Sequence, residues 1–369
     1  MKRILFPLIT GILLGIASPA HSAPVPPPEK LLPADTLVML TVPDWDKSGA
    51  ALKDAPFNRL WRDPEMKPFV DHFNAGLQKD FVQPMEKELG FKLGEFTNLV
   101  HGQFTIGVVQ DGWQGKTGEE PAFILLLDVK DQTSRLSKLL ADLRTKWNES
   151  GRKIKEETIR GVSFTVLMIS PAEIGKAFDK SKPGDNEPSA DSTDKSKADK
   201  PFPLLVGQNG SLLLVGTSSR VIEQVLVRQG GGSVSSLSEL ASYEKNHTAL
   251  FRDANFSVWA NARAFTDILL KSKPEPDASP NSNPLGYTPE KIVTALGLKG
   301  LRTLAMSATL SGDGMLGRFA MTIPESERRG LFTILTPETK DASPLPFVQA
   351  DVTKFNRWRL NGQKVWGTF

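Results

Sequence analysis

Asp111 to Thr117 reads DGWQGKT, the end of a phosphate-binding loop, and no other segment of this 369-residue chain comes as near to a known chemistry in residue types. A P-loop holds phosphate on glycine-rich backbone. It needs a glycine five residues before the one that precedes lysine, and it leads from a strand into a helix. Here that position is Gln110 and the segment joins two strand-like runs, so it reads as a hairpin loop. Asp44 to Gly49, DWDKSG, has the spacing of the first half of a calcium loop, but Ala55 stands where the bidentate glutamate belongs. A helix cap or turn is the simpler reading. Ser242 with Lys245, Ser150 with Lys153 and Ser192 with Lys195 each fit SxxK, yet the companion SDN and KTG motifs are missing, and chance accounts for all three.

Past the first 23 residues only His72, His101 and His247 remain, widely spaced and without a HExxH pair. No GxSxG elbow occurs. Any two of the 42 acidic residues could face each other across a cleft for glycoside hydrolysis, and sequence does not reveal such a pair. Glu119 and Glu120 in the hairpin loop read as solubilising. Of the seven tryptophans, Trp61, Trp147 and Trp259 sit on apolar stripes and read as core. Trp113, at a loop tip, is the one candidate for ligand contact, against the alternative of a ring folded onto its own hairpin. No catalytic residue, metal site or cofactor is assigned.

The compartment is more legible. MKRILFPLITGILLGIASPAHSA combines a basic start, an apolar run from Ile4 to Ile16 and small residues, the pattern of a secretory signal peptide. The run is about 13 residues against the roughly 20 a spanning helix needs. We therefore expect a leader over 1–22, cleaved after Ser22, and a protein that is periplasmic or secreted, soluble and bacterial. With Lys2 and Arg3 removed the net charge falls from +3 to about +1, which gives no pull toward nucleic acid. The absence of cysteine excludes disulfides, thiolate metal sites and a lipid-anchored cysteine. No integral membrane segment is expected after the leader.

Positioning elements follow from periodicity. A Pro-rich tether (23–33) precedes a strand at Thr36 to Val42; helical spacing covers Phe57, Leu60, Trp61, Met66, Phe69, Val70 and Phe73, and a second helix is expected from Leu77 to Leu89. Gln103 to Gln110 and Ala122 to Val129 read as a hairpin, Asp131 to Glu149 as an amphipathic helix, and Ile154 to Ile159 with Val162 to Ile169 as a second hairpin. Phe202 to Gln208 and Ser211 to Gly216 flank Asn209-Gly210, a dipeptide suited to positive φ at both central positions. Helices are expected over Ser218 to Gln229 and Leu237 to His247. The fold class is α+β, a mostly antiparallel sheet covered by helices.

Residues 170–201 lack large apolar groups past Phe178 and read as a disordered loop, and 271–284 as a mobile one. Asn255 to Asn261, ARAFTDILL, TPEKIVTAL and a strand from Leu316 to Ile323 reproduce the order of elements in the first half, with LGxK at Leu89 and Leu296. This predicts two related modules, 34–250 and 251–345. PLPFVQADVTKFNRW then resembles the opening EKLLPADTLVMLTVPDW, so 346–369 is expected to begin a third unit, completed either by the rest of a longer protein or by another chain.

LPADT followed by FNRLWRDPEMKPFVD, GQNGSLLLVGTSSRVIEQVL and FNRWRLNGQKVW together resemble exported bacterial proteins known as domain-of-unknown-function families. The resemblance implies export and a repeated α+β fold, and carries no catalytic residues. The resulting expectation is a non-enzymatic binding, scaffold or assembly protein of the cell envelope, its partner an envelope protein or glycan. The alternative is an envelope hydrolase acting on a glycan or peptidoglycan.

Overall fold

The computed structural model describes residues 24–83, 86, 92–116, 119–170, 201–271, 288–312, 314–335, 343, 345–349, 351–352 and 362–368. The leader, nearly all of the 170–201 loop, residues 272–284 and residues 353–361 of the expected third unit lie outside the described residues.

Among the described residues, β-branched and leucine-rich runs form one ten-stranded sheet. Its strands are β1 (Thr36–Val42), β2 (Phe104–Val109), β3 (Ala122–Asp128), β4 (Ile154–Ile159), β5 (Val162–Ile169), β6 (Phe202–Asn209), β7 (Leu212–Gly216), β8 (Phe256–Ala260), β9 (Thr303–Ser311) and β10 (Gly314–Thr322). The order across the sheet is β10, β9, β8, β1, β2, β3, β7, β6, β5, β4, and every neighbouring pair is antiparallel. The helices include α1 (Pro28–Leu31), α2 (Trp45–Asp54), α3 (Pro56–Trp61), α4 (Lys67–Leu77), α5 (Thr133–Glu149), α6 (Ser219–Gln229), α7 (Ala241–Asn246), α8 (Ala262–Lys271) and α9 (Pro289–Ala295), and short helices also span Leu93–Thr97, Leu331–Leu335 and Gly362–Thr368. The fold is α+β, as the sequence pattern implies.

Alternation splits the apolar residues between two faces of the sheet. On one, Val221, Ile222, Val225 and Leu226 of α6 pack with α1 and α7 onto Met39, Ile124, Leu126, Leu205 and Trp259. On the other, Leu136, Leu143 and Trp147 of α5 cover Leu127, Leu167, Val206 and Leu213. Each such burial contributes about 1.5–3 kcal/mol. Among the described residues no helix is long and apolar enough to cross a membrane.

Several local expectations change. Asn209 pairs with Leu212 in the ladder, so the turn is Gly210-Ser211, with positive φ (61°) at Gly210 alone. The I′ turn occurs instead at Arg160-Gly161, with φ of 52° and 79°. α4 ends at Leu77 and runs on as a π-helical turn, Gln78–Val82, and most of 84–91 lies outside the described residues. Trp147 and Trp259 are core at 3% and 0% exposure, but Trp61 is only half-buried. α2, α3 and α4 contain no buried residue, and the rings of Phe57, Trp61, Phe69 and Phe73 pack mainly on one another, with centroids 5.5–6.4 Å apart.

Candidate functional site

Register across four adjacent strands puts Thr105, Thr41, Ser257 and Ser307 directly opposite one another, a row of hydroxyls on an otherwise apolar face. All four are at most 2% exposed. Half of the row is satisfied: the Thr105 hydroxyl lies 2.8 Å from that of Thr41, which donates to the carbonyl of Phe104 at 3.1 Å. Ser307 Oγ is buried with no partner among the described residues, and the Ser257 side chain makes no hydrogen bond there. Buried hydroxyls are normally bonded, which makes the Ser307 hydroxyl an exception among the described residues.

Thr41 and Ser257 line a cleft of about 370 Å³. One wall is aromatic. α7 continues into a π-helical turn, His247–Phe251, and Tyr243, His247 and Phe251, four residues apart, fall on one side. Tyr243 and His247 are stacked with centroids 5.8 Å apart, and Phe251 meets them at 6.0 and 6.5 Å. Behind this wall Tyr243 is held edge-on against Trp259, 5.5 Å away. Burial pushes the Tyr243 phenol far above its ordinary pKa, with Glu29 and Glu244 adding to the effect, so it stays neutral.

The opposite wall is α2, capped by Asp44, whose carboxylate accepts the Lys47 amide at 2.9 Å. Ser48 donates to the Asn255 carbonyl at 3.2 Å, and the Asn255 side chain accepts from the Leu310 amide at 2.8 Å, which ties α2 to β9. At the rim, Glu29 lies 3.9 Å from His247 Nε2, and the exposed Lys47 and Arg252 form no ion pair among the described residues. The cleft therefore presents the His247 ring, backed by the buried rings of Tyr243 and Phe251, the Ser257 hydroxyl, and a lining in which Lys47 and Arg252 stand among Glu29, Asp44 and Asp253.

A second cleft, about 620 Å³, adjoins the first through Pro27, Pro28, Pro43 and Asp44. Lys130 reaches Asp44 at 3.4 Å and Asp46 at 3.3 Å, and His101 Nδ1 lies 3.0 Å from Asp46. The hydrogen bond with His101 outweighs burial and, with Lys130, holds the Asp46 carboxyl below its usual value. Partial burial opposes the Lys130 charge, but Asp46 and Asp44 outweigh it and hold that pKa above the ordinary one.

The motif candidates disperse. DGWQGKT joins β2 to β3 rather than a strand to a helix. Asp111 and Gly112, at φ 46° and 85°, turn the chain so that the Trp113 amide donates to Gln110 at 2.7 Å. Trp113 is half-buried in that turn and lines neither cleft described above. Glu119 closes the same loop by accepting the Gln114 amide at 3.0 Å. Asp44 is a helix cap; Ser242 and Lys245 lie on α7, and Ser192 and Lys195 fall outside the described residues. His72 is exposed on α4, His101 pairs with Asp46 and His247 joins the aromatic wall, and among the described residues no His, Cys, Asp and Glu group could hold a metal. The hydroxyl row carried no signal in single-strand periodicity; only strand pairing assembles it. No protein-family model matches the chain, and no curated protein or solved structure is significantly similar to it.

Proposed function

We propose that the protein is an exported envelope protein that binds a glycan in the Tyr243 cleft without turning it over. The observation that carries this reading is Ser257, which lines a cleft walled by Tyr243, His247 and Phe251 and whose hydroxyl makes no hydrogen bond among the described residues, with the buried, unpaired Ser307 hydroxyl next to it in the sheet. Sugars present a CH face that stacks on aromatic rings and hydroxyls that exchange hydrogen bonds with serine. Lys47 and Arg252 are the groups on this lining that would meet a carboxylate of a peptidoglycan fragment, with Glu29, Asp44 and Asp253 facing its hydroxyls and amides. Export rests on the leader-like start and the sequence resemblance, and the absence of cysteine suits it.

The sheet is built, in this reading, from two related modules. β1 with helices leads to the β2–β3 hairpin, and β8 with helices leads to the β9–β10 hairpin. β1 and β8 pair antiparallel at the centre, so an approximate two-fold axis between them would exchange β1, β2, β3 with β8, β9, β10. β4 to β7 are then an addition to the first module.

Isothermal titration with soluble muropeptides tests the function. Saturable binding with no change in the muropeptides on prolonged incubation is expected. No heat of binding would overturn the reading, and released fragments would favour the hydrolase alternative.

A further inference from the structure

We infer that β10 is an interface at which two copies of this chain pair edge to edge. The two edges of the sheet differ in a way that bears on this. β4 carries Lys155, Glu156 and Glu157, the charged side chains that keep an edge strand from pairing. β10 carries one charge, Arg318, in nine residues. Its register with β9 runs from Gly314 to Thr322 without a bulge, so the strand is long and regular, and among the described residues it is paired on one side only. Met315, Leu316, Phe319 and Met321 are 69%, 52%, 64% and 42% exposed. A long, exposed, apolar edge is a template for another strand.

The sequence of the strand selects a second copy as the occupant. A two-fold axis normal to the sheet pairs the strands antiparallel, and opposed residues must share a face. Centring the axis on Arg318 would oppose two arginines. Centring it on Phe319 places Arg318 opposite Ala320 of the partner subunit, Leu316 opposite Thr322 of the partner subunit and Gly317 opposite Met321 of the partner subunit, with the two Phe319 rings at the axis. No like charges meet. Pairing would satisfy the unpaired edge of the backbone and partly cover four exposed apolar side chains.

Sedimentation velocity on the chain without its leader reads the outcome. A dimer at micromolar concentration is expected, and Leu316→Lys with Phe319→Lys should turn it into a folded monomer with an unchanged circular dichroism spectrum. Because the chain has no cysteine, Phe319→Cys offers a second readout. Directly opposed Cα atoms lie about 4.5–5.5 Å apart, within disulfide reach, so oxidation should cross-link Phe319→Cys and leave Arg318→Cys monomeric on a denaturing gel. A monomer of the native chain up to 100 µM with no cross-link at Phe319→Cys would overturn the inference, as would equal cross-linking of both variants.

Discussion

Trp259 Nε1 donates to Asn246 Oδ1 at 3.2 Å, and the same oxygen accepts the Thr303 hydroxyl at 2.8 Å. Asn246 is 4% exposed and its two partners at most 1%, so one amide from α7 satisfies two donors in the sheet beneath it. The bond fixes the ring against which Tyr243 rests, and so sets the aromatic wall of the cleft. Asn246→Leu should leave both donors buried and unpaired, costing about 2–4 kcal/mol. Urea unfolding followed by tryptophan fluorescence would show it, and a loss under about 0.5 kcal/mol would contradict this role.

Arg228 does similar work on the other side of the N-terminal segment. Only 7% exposed, its guanidinium donates to the carbonyls of Leu31 at 3.2 Å, Val234 at 3.1 Å and Ser235. Arg228→Met keeps the stem and strands three acceptors, so a loss of about 2–4 kcal/mol is expected in chemical denaturation. Limited proteolysis should then cut first near residues 24–35, where the chain is no longer tied to α6.

Gly207 lies on β6 against the buried ring of Phe164, and a Cβ there would come within 2.5 Å of it. The ring is fully buried in the core. Gly207→Ala should destabilise the protein by about 1–3 kcal/mol through overpacking, and Phe164→Leu in the same chain should recover part of that loss. Thermal melts of the single and double variants check both statements.

The Asp46 carboxyl has a folded pKa below its ordinary 3.8. Its contribution is therefore complete above the unfolded value and disappears as pH falls through the folded one. Asp46 is about half exposed, which keeps the effect small. Comparing native protein with Asp46→Asn, the stability difference should shrink as pH falls below about 4. For Lys130 the sign is reversed: a raised pKa gives stability that is present below 10.5 and lost as pH rises beyond the folded value.

Strands and the α5 helix were legible because each carries its own signal. Thr36 to Val42 is continuously apolar and β-branched, and Leu136, Leu143 and Trp147 recur at helical spacing. Trp61 shows where that signal misleads. Its stripe is amphipathic, but the apolar side meets the rings of Phe57, Phe69 and Phe73 rather than the sheet, and periodicity does not say what a face packs on. The Gly210-Ser211 turn was missed by one residue because register depends on which residues pair, and Asn209 pairs. The candidate site was illegible for a related reason: Thr41, Thr105, Ser257 and Ser307 come from four strands, and their sequence separations reach about 266 residues.

Ser257 gives the most direct measurement of the binding reading, because its substitution should affect binding and leave stability nearly unchanged. The Ser257 hydroxyl makes no hydrogen bond among the described residues, so Ser257→Ala removes no internal bond and should change stability by less than about 0.5 kcal/mol. The same substitution should weaken muropeptide binding about ten-fold in isothermal titration, since the ligand loses a hydrogen bond. Native affinity retained in Ser257→Ala, at unchanged or greater stability, would contradict the assignment of this cleft.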